Sequence, residues 1–184
     1  MVLNGIRMGV GRWRGSPQET ERTMAQSLRE NLHLVSDPRN LDASVDEVFH
    51  MMLGVACAPI KQAAIEEAET ITAVVGFGGL LSGACVFRSG ATAALTIAAK
   101  LTGMDFPELD DTVKDAIGEV CNMLAGTWKG RVPDLAANCG LSIPAVITGS
   151  NYNIHVQAPE FRLHHTYRFE DSVFAVTIIC DGLQ

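Results

Sequence analysis

The stretch from Leu109 to Lys129 reads LDDTVKDAIGEVCNMLAGTWK, and it predicts a long amphipathic helix around which the rest of the chain is organised. Apolar side chains recur along it at the i, i+4, i+7 spacing of a buried stripe, namely Val113, Ile117, Val120, Leu124 and Trp128. Since each residue advances about 100° around the helix axis, a second row lies on the opposite side. This second row, the polar ridge, consists of Asp111, Asp115, Glu119, Asn122 and Gly126.

The polar ridge brings a carboxylate and a carboxamide together on a rigid backbone. Glu119 and Asn122 are i, i+3 neighbours, so both side chains can act on one small target. Gly126 costs such a helix about 1 kcal/mol relative to alanine, and the close approach of another surface would explain its presence. A helix face with acids and an asparagine is also typical of plain solvated surface, so the spacing alone does not establish a site.

A second motif, Ser142-Ile143-Pro144, follows the polar ridge along the chain. Together with Asp115-x3-Glu119-x2-Asn122, it resembles the signature of the CheC/CheX/FliY family of bacterial chemotaxis phosphatases, and the CheX members in particular. The resemblance runs from about Asp42 to the C-terminus, and DDTVKDAIGEVCNMLAG followed by LSIPAVITG is its most specific part. The proline stands one residue nearer to the asparagine than is usual in the family, which we interpret as a difference in loop length.

The resemblance implies hydrolysis of the aspartyl phosphate on a CheY-like response regulator. An acyl phosphate is already reactive, so a helper protein has mainly to place a water molecule in line with the phosphorus atom. Asn122 would orient that water without adding negative charge, and Glu119 would pair with a lysine of the regulator rather than act as a general base. Asp115 and Gly126 are assigned to docking of this partner. Magnesium is expected on the phosphorylated regulator, so the chain is expected to need no cofactor of its own.

An internal repeat is visible 72 residues before the polar ridge. Residues 47–54 align with residues 119–126 and share a glutamate, a valine, a methionine and a glycine at matched positions. This period is longer than that of solenoid repeats and favours a duplicated half-domain with pseudo-twofold symmetry. The first copy keeps Glu47 but has Ala43 in place of the aspartate and His50 in place of the asparagine. We therefore interpret Glu47 and His50 as a degenerate second site.

The remaining pattern predicts an α/β (α+β) sandwich. Helices are expected over residues 45–58, with Asp42 or Ser44 as the N-cap, and over residues 91–101 and 109–129. The β-rich runs predict a mixed or antiparallel sheet of about six strands, and they lie at residues 70–77, 83–87, 142–148, 161–169 and 172–180. The segment between Gly130 and the strand at 142 is expected to be irregular.

The chain is expected to consist of an N-terminal arm and one domain. Residues 1–41 are rich in arginine and poor in branched aliphatic side chains, and they predict an N-terminal arm that is partly helical or disordered. Its helix is expected from about residue 17 to residue 35, followed by a turn at residues 37–40. Residues 42–184 form the CheX-like phosphatase domain. Because proteins that resemble CheX tend to pair through their sheet, a homodimer is expected.

Composition argues against several other classes of protein. A net charge of −7 disfavours a sequence-independent nucleic-acid binder, which needs a basic surface. No apolar run approaches the ~20 residues of a membrane span, and no secretory signal is evident. The five cysteines lack the C-x2-C pairs of a zinc site, which favours reduced thiols in a cytoplasmic protein. His164 and His165 are neighbours on one strand and point to opposite faces, so no metal site is expected.

Two other functions stay open at this stage. A CheX-like domain could bind and sequester a receiver or a flagellar partner without catalysis, in which case the polar ridge would give affinity and not rate. A purely structural oligomerising domain would use the ridge for neither purpose. The retention of both Glu119 and Asn122 favours the phosphatase.

Overall fold

The computed structural model describes residues 23, 26, 32–61, 65, 69–150, 152 and 159–183. Most of the predicted arm, including most of its expected helix, lies outside the described residues. The end of the predicted range is helical, as α1, Leu32–Val35. Val35 is fully buried in the hydrophobic core, so the end of the predicted arm takes part in domain packing.

Helix α2 spans Pro38–Val48 and continues into a π-helical turn, Phe49–Leu53. Asp37 is its N-cap, because the carboxylate accepts the backbone N–H of Arg39 and Pro38 occupies the first turn. The predicted cap at Asp42 or Ser44 and the predicted turn at 37–40 are therefore wrong. An aspartate followed by proline fits a helix start as well as a turn, and here the helix prevails. The predicted domain boundary at residue 42 falls inside α2.

The other helices agree more closely with the expected ranges. Helix α3 spans Ala91–Thr102 and ends at Gly103, which is left-handed with φ of +73°. Helix α4 spans Asp111–Gly130 and carries the polar ridge. The segment predicted to be irregular contains a short helix, α5, over Pro133–Asn138. None of the helices in the described parts of the chain is long and apolar enough to cross a membrane.

Within the described residues the sheet has seven strands, and all of their pairings are antiparallel. The strands are β1 Ala58–Ile60, β2 Thr70–Gly79, β3 Leu81–Gly90, β4 Cys139–Leu141, β5 Ala145–Gly149, β6 Phe161–Phe169 and β7 Ser172–Leu183. Their order is β1-β6-β7-β3-β2-β4, and β5 also pairs with β2. The predicted α+β sandwich is confirmed, with the three-residue strands β1 and β4 added to the expected set.

The strand order is symmetrical about the contact between β3 and β7. The β2–β3 hairpin and the β6–β7 hairpin pair through these two strands. Each hairpin carries on its outer side a strand from the other half of the chain, because β1 lies beside β6 and β5 lies beside β2. This arrangement is the pseudo-twofold duplication that the repeat predicted.

Phe174 of β7 lies at the centre of an aromatic cluster in the core. Its ring stacks on Phe49 with 4.4 Å between centroids and on Phe87 and Tyr167 at 5.3 Å each. It also meets Phe169 edge-on at 5.7 Å. All five rings are 1% exposed or less. Since Phe49 belongs to the π-helical turn, this cluster fixes the first copy of the repeat to the sheet.

Candidate functional site

Helix α4 holds the polar ridge in a fixed position. Asp110 caps the helix by accepting the backbone N–H of Val113 at 2.9 Å. Asp111 pairs with Lys114, and the hydrogen bond from this ammonium group lowers the pKa of the carboxylate. The predicted apolar stripe is buried to 1% exposure or less at Val113, Ile117, Val120, Leu124 and Trp128.

The ridge faces away from this core. Asp115 and Glu119 are exposed, while Asn122 and Gly126 are partly buried. Within the part of the chain that the structure describes, the side chains of Asp115, Glu119 and Asn122 make no hydrogen bond or ion pair. Carboxylates and a carboxamide without internal partners are free to bind a group supplied by another molecule.

The loop Ser142–Pro144, here called the SIP loop, runs beside α4. A Cβ built on Gly118 would lie 3.2 Å from Cβ of Pro144, so this glycine allows the proline to approach the helix closely. Further along, a Cβ on Gly126 would lie 3.9 Å from Cδ1 of Leu141. Residues 118, 122 and 126 follow one another at i, i+4 spacing on the same flank of the helix. The chain from Leu141 to Pro144 therefore passes along the flank that contains Asn122.

The first copy of the repeat is arranged differently, because Arg131 at the end of α4 binds to it. Its Nη2 atom donates to Oε2 of Glu47 at 2.5 Å and to the carbonyl oxygen of Ala43 at 3.1 Å. Its Nε atom donates to the Ser44 hydroxyl at 3.0 Å. Ala43 and Glu47 are the counterparts of two ridge residues. The carboxylate of Glu47 is thus engaged, in contrast to that of Glu119.

His50 is also positioned unlike its counterpart in the ridge. It is exposed and lies in the π-helical turn, so it is not one regular α-helical turn from Glu47. The helix then stops at Gly54, whose φ of +67° is left-handed. The matching glycine, Gly126, lies inside α4, which continues to Gly130. Sequence reasoning paired Glu47 with His50, but it missed Arg131, whose contact with Glu47 spans 84 positions.

The adjacent histidines of β6 have separate partners. His164 Nδ1 lies 2.8 Å from the Thr177 hydroxyl oxygen, and burial lowers the pKa of this imidazole. His165 Nδ1 lies 2.7 Å from Oδ1 of Asp42, which also accepts the Tyr167 hydroxyl at 2.8 Å. Among the described residues, no three His, Cys, Asp or Glu side chains are grouped as a metal ion would require.

The family model described as "Chemotaxis phosphatase CheX" matches residues 71–166, slightly more than half of the chain. The chain belongs to the CheX family. The matched range contains the polar ridge and the SIP loop. The resemblance to CheX that these two motifs indicated is therefore confirmed. A curated CheX from Thermotoga maritima, named CheY-P phosphatase CheX, is 28% identical over 118 residues, which are 62% of this chain and 76% of that protein.

Solved CheX structures share the fold. CheX from Vibrio vulnificus has a TM-score of 0.67 at 19% identity, covering 79% of this chain and 97% of that one. CheX from Borrelia burgdorferi, solved as a CheX-CheY-BeF3-Mg complex, has a TM-score of 0.62 at 20% identity and covers 78% and 97% of the two chains. The arrangement of helices and sheet around the ridge is therefore the CheX fold.

Proposed function

We propose that this chain hydrolyses the aspartyl phosphate of a CheY-like response regulator. One observation carries the proposal: Glu119 and Asn122 stand without internal partners among the described residues, on a capped helix whose other face is buried. Membership of the CheX family supports it, as does the name of the Thermotoga maritima relative. The geometry suits a protein that presents two side chains to a phosphorylated surface.

The chemistry asks little of the phosphatase beyond geometry. Hydrolysis of an acyl phosphate needs water in line with the phosphorus atom and the leaving carboxylate. A carboxamide can accept a hydrogen bond from that water through its oxygen and donate one through its nitrogen, and it adds no charge beside the phosphoryl oxygens. We assign this role to Asn122. When the protein holds the water and the phosphoryl group together, the reaction no longer has to lose the entropy of bringing them into position.

Glu119 is assigned to the binding of a lysine on the regulator, next to the magnesium that the regulator itself carries. Glu119→Gln keeps the shape of the side chain and removes its charge. We expect KM for the phosphorylated receiver to rise about tenfold with kcat nearly unchanged, because a charge-assisted hydrogen bond is lost. The variant should also lose part of the salt dependence of KM.

Glu47→Gln is the matched control for this substitution, since Arg131 already engages that carboxylate. Its kinetics should equal those of wild type. A fall in kcat for Glu119→Gln with KM unchanged would instead identify Glu119 as a general base.

Gly126 is assigned, together with Asp115, to the docking surface. Gly126→Ala should raise the free energy of unfolding by up to about 1 kcal/mol, because alanine favours the helix and its Cβ has room beside Leu141. Receiver binding should nevertheless weaken, because the added methyl group stands where the partner approaches the backbone. Urea denaturation and titration calorimetry measure the two effects.

Gly130→Ala provides the comparison for the docking role of Gly126. Gly130 also lies in α4, and a Cβ built there meets nothing within 4 Å. Receiver affinity should be unchanged in this variant. Unchanged affinity in Gly126→Ala as well would contradict the assignment of Gly126 to docking.

The activity itself is tested by phosphate release from a panel of CheY-like receivers charged with acetyl phosphate and magnesium. Receiver affinity is measured in parallel with beryllofluoride in place of the phosphoryl group. Acceleration of phosphate release above the receiver's own rate supports the phosphatase. Tight binding without acceleration would show a sequestering module. If no receiver of the panel were bound or dephosphorylated faster, the remaining interpretation would be a structural role.

Homodimerisation and a cytoplasmic location belong to the same proposal. Within the described residues, β1 pairs only with Thr166–Arg168 of β6, so residues 161–165 have no strand on that side. An open strand edge of this kind supports pairing with a second copy.

A further inference from the structure

Ile143 is the most exposed large apolar side chain among the described residues. Its exposed fraction is 88%, higher than that of Met51 at 74% or Met104 at 55%. A single apolar side chain on a surface is ordinary. Ile143 differs because the chain on both sides of it is fixed and because it stands beside the candidate site.

The residue before Ile143 is anchored to β2. The backbone N–H of Ser142 donates to the carbonyl oxygen of Gly76 at 2.9 Å, and the Gly76 N–H donates to the Ser142 hydroxyl oxygen at 2.9 Å. The same hydroxyl donates to the carbonyl oxygen of Ile143 at 2.9 Å. The first two bonds hold the backbone on the N-terminal side of the isoleucine, and the third holds its own carbonyl group.

The residue after Ile143 is anchored to α4. Pro144 packs at Gly118, where a Cβ would meet Cβ of the proline at 3.2 Å and Cγ2 of Val146 at 3.4 Å. Proline also fixes its own φ angle. Ile143 is therefore held outward on a backbone that needs no further ordering, and binding through it would cost little conformational entropy.

The two anchor points also locate Ile143 relative to Asn122. Leu141 contacts α4 at Gly126 and Pro144 contacts it at Gly118, eight residues or about 12 Å earlier along the helix axis. Asn122 is midway between these glycines on the same flank. Along the chain Ile143 lies between these two points, which places its backbone on the Asn122 flank of α4 and away from Glu119.

We propose that Ile143 is a docking residue that inserts its side chain into an apolar site of the receiver, next to the phosphorylated aspartate. This inference rests on the proposed function. A receiver that brings its phosphoryl group within hydrogen-bond reach of Asn122 has to cover the SIP loop. The apolar contact supplies affinity on one side of the asparagine, while Glu119 supplies a charged contact on the other. A few well-packed side chains near the centre of an interface commonly dominate its binding energy.

The test compares receiver affinity among variants at this position. Kd is measured by calorimetry for receivers charged with beryllofluoride and magnesium, using wild type, Ile143→Ser and Ile143→Leu. Ile143→Ser should raise Kd about 10- to 100-fold, which corresponds to the loss of one buried aliphatic side chain. Ile143→Leu should restore most of the affinity, because the contact is apolar.

Ile147→Ser is the matched control. Ile147 is an isoleucine with 44% exposure, and it lies on β5 next to Val146, which contacts Gly118. Neighbouring strand residues point to opposite faces, so Ile147 points away from α4. Its Kd should equal that of wild type.

The outcomes separate the two proposals. If wild type releases phosphate but Ile143→Ser binds as tightly as wild type, the docking role is overturned and the phosphatase stands. If wild type binds without turnover and Ile143→Ser binds more weakly, the phosphatase is overturned and the docking role stands. An equal loss of affinity in Ile147→Ser would also overturn the docking role, because the effect would not be local to the SIP loop.

Discussion

Asn122→Ala should lower kcat for receiver dephosphorylation by about 100-fold or more, the size of effect expected when a reacting group loses its positioning. Kd for the beryllofluoride-charged receiver should change little, because the flanking contacts of Glu119 and Ile143 remain. The free energy of unfolding should stay within about 0.5 kcal/mol of wild type, since the side chain contacts no described residue through a hydrogen bond. Single-turnover phosphate release measures the rate, and calorimetry measures the binding.

The control for this experiment is another asparagine outside the ridge. Asn138 is exposed at the end of α5, and its side chain donates to the carbonyl oxygen of Asp134 at 3.0 Å. Asn138→Ala should dephosphorylate receivers at the wild-type rate. A wild-type rate for Asn122→Ala would remove the water-positioning role from that residue. A comparable loss of rate in the control would show that the effect is not specific to the ridge.

Phe174→Ala should produce the largest loss of stability among these substitutions, about 3–5 kcal/mol. Its ring is fully buried and contacts four other aromatic rings, so its removal leaves a cavity and also breaks aromatic stacking. In urea denaturation the midpoint should fall while the m-value stays constant.

Met51→Ala is the comparison for Phe174→Ala. Met51 lies in the same π-helical turn as Phe49 but is 74% exposed, so its substitution should change the free energy of unfolding by less than about 0.5 kcal/mol. A small effect of Phe174→Ala would mean that the cluster relaxes around the missing ring and does not fix the first copy to the sheet.

The sequence predicted the elements that have strong periodicity. Helix α4 was expected over residues 109–129 and spans Asp111–Gly130, and β6 was expected over its observed range, Phe161–Phe169. Apolar spacing determines such elements because one face of each is buried. Short elements were missed for the opposite reason. Strand β4 has three residues and helix α5 has six, too few for a period to be recognised.

For the candidate site, the sequence supplied the residues but not their surroundings. Helical spacing was enough to group Glu119 with Asn122, since both lie on one element. The approach of Pro144 to Gly118 and the bond from Arg131 to Glu47 join distant parts of the chain. They depend on how the two halves of the sheet pair, which no local pattern encodes. The exposure of Ile143 could not be predicted for the same reason. It depends on where the contacts of Ser142 with Gly76 and of Pro144 with Gly118 hold the loop.

The contact between Arg131 and Glu47 has a consequence for stoichiometry. The duplicated fold could in principle offer two equivalent receiver positions per chain, one on each copy of the helix. Because Arg131 already engages the Glu47 carboxylate of the first copy, each chain under this proposal discharges one receiver at a time. The rate at which a cell clears phosphorylated regulator then scales with the number of chains, and assembly into a dimer does not multiply it.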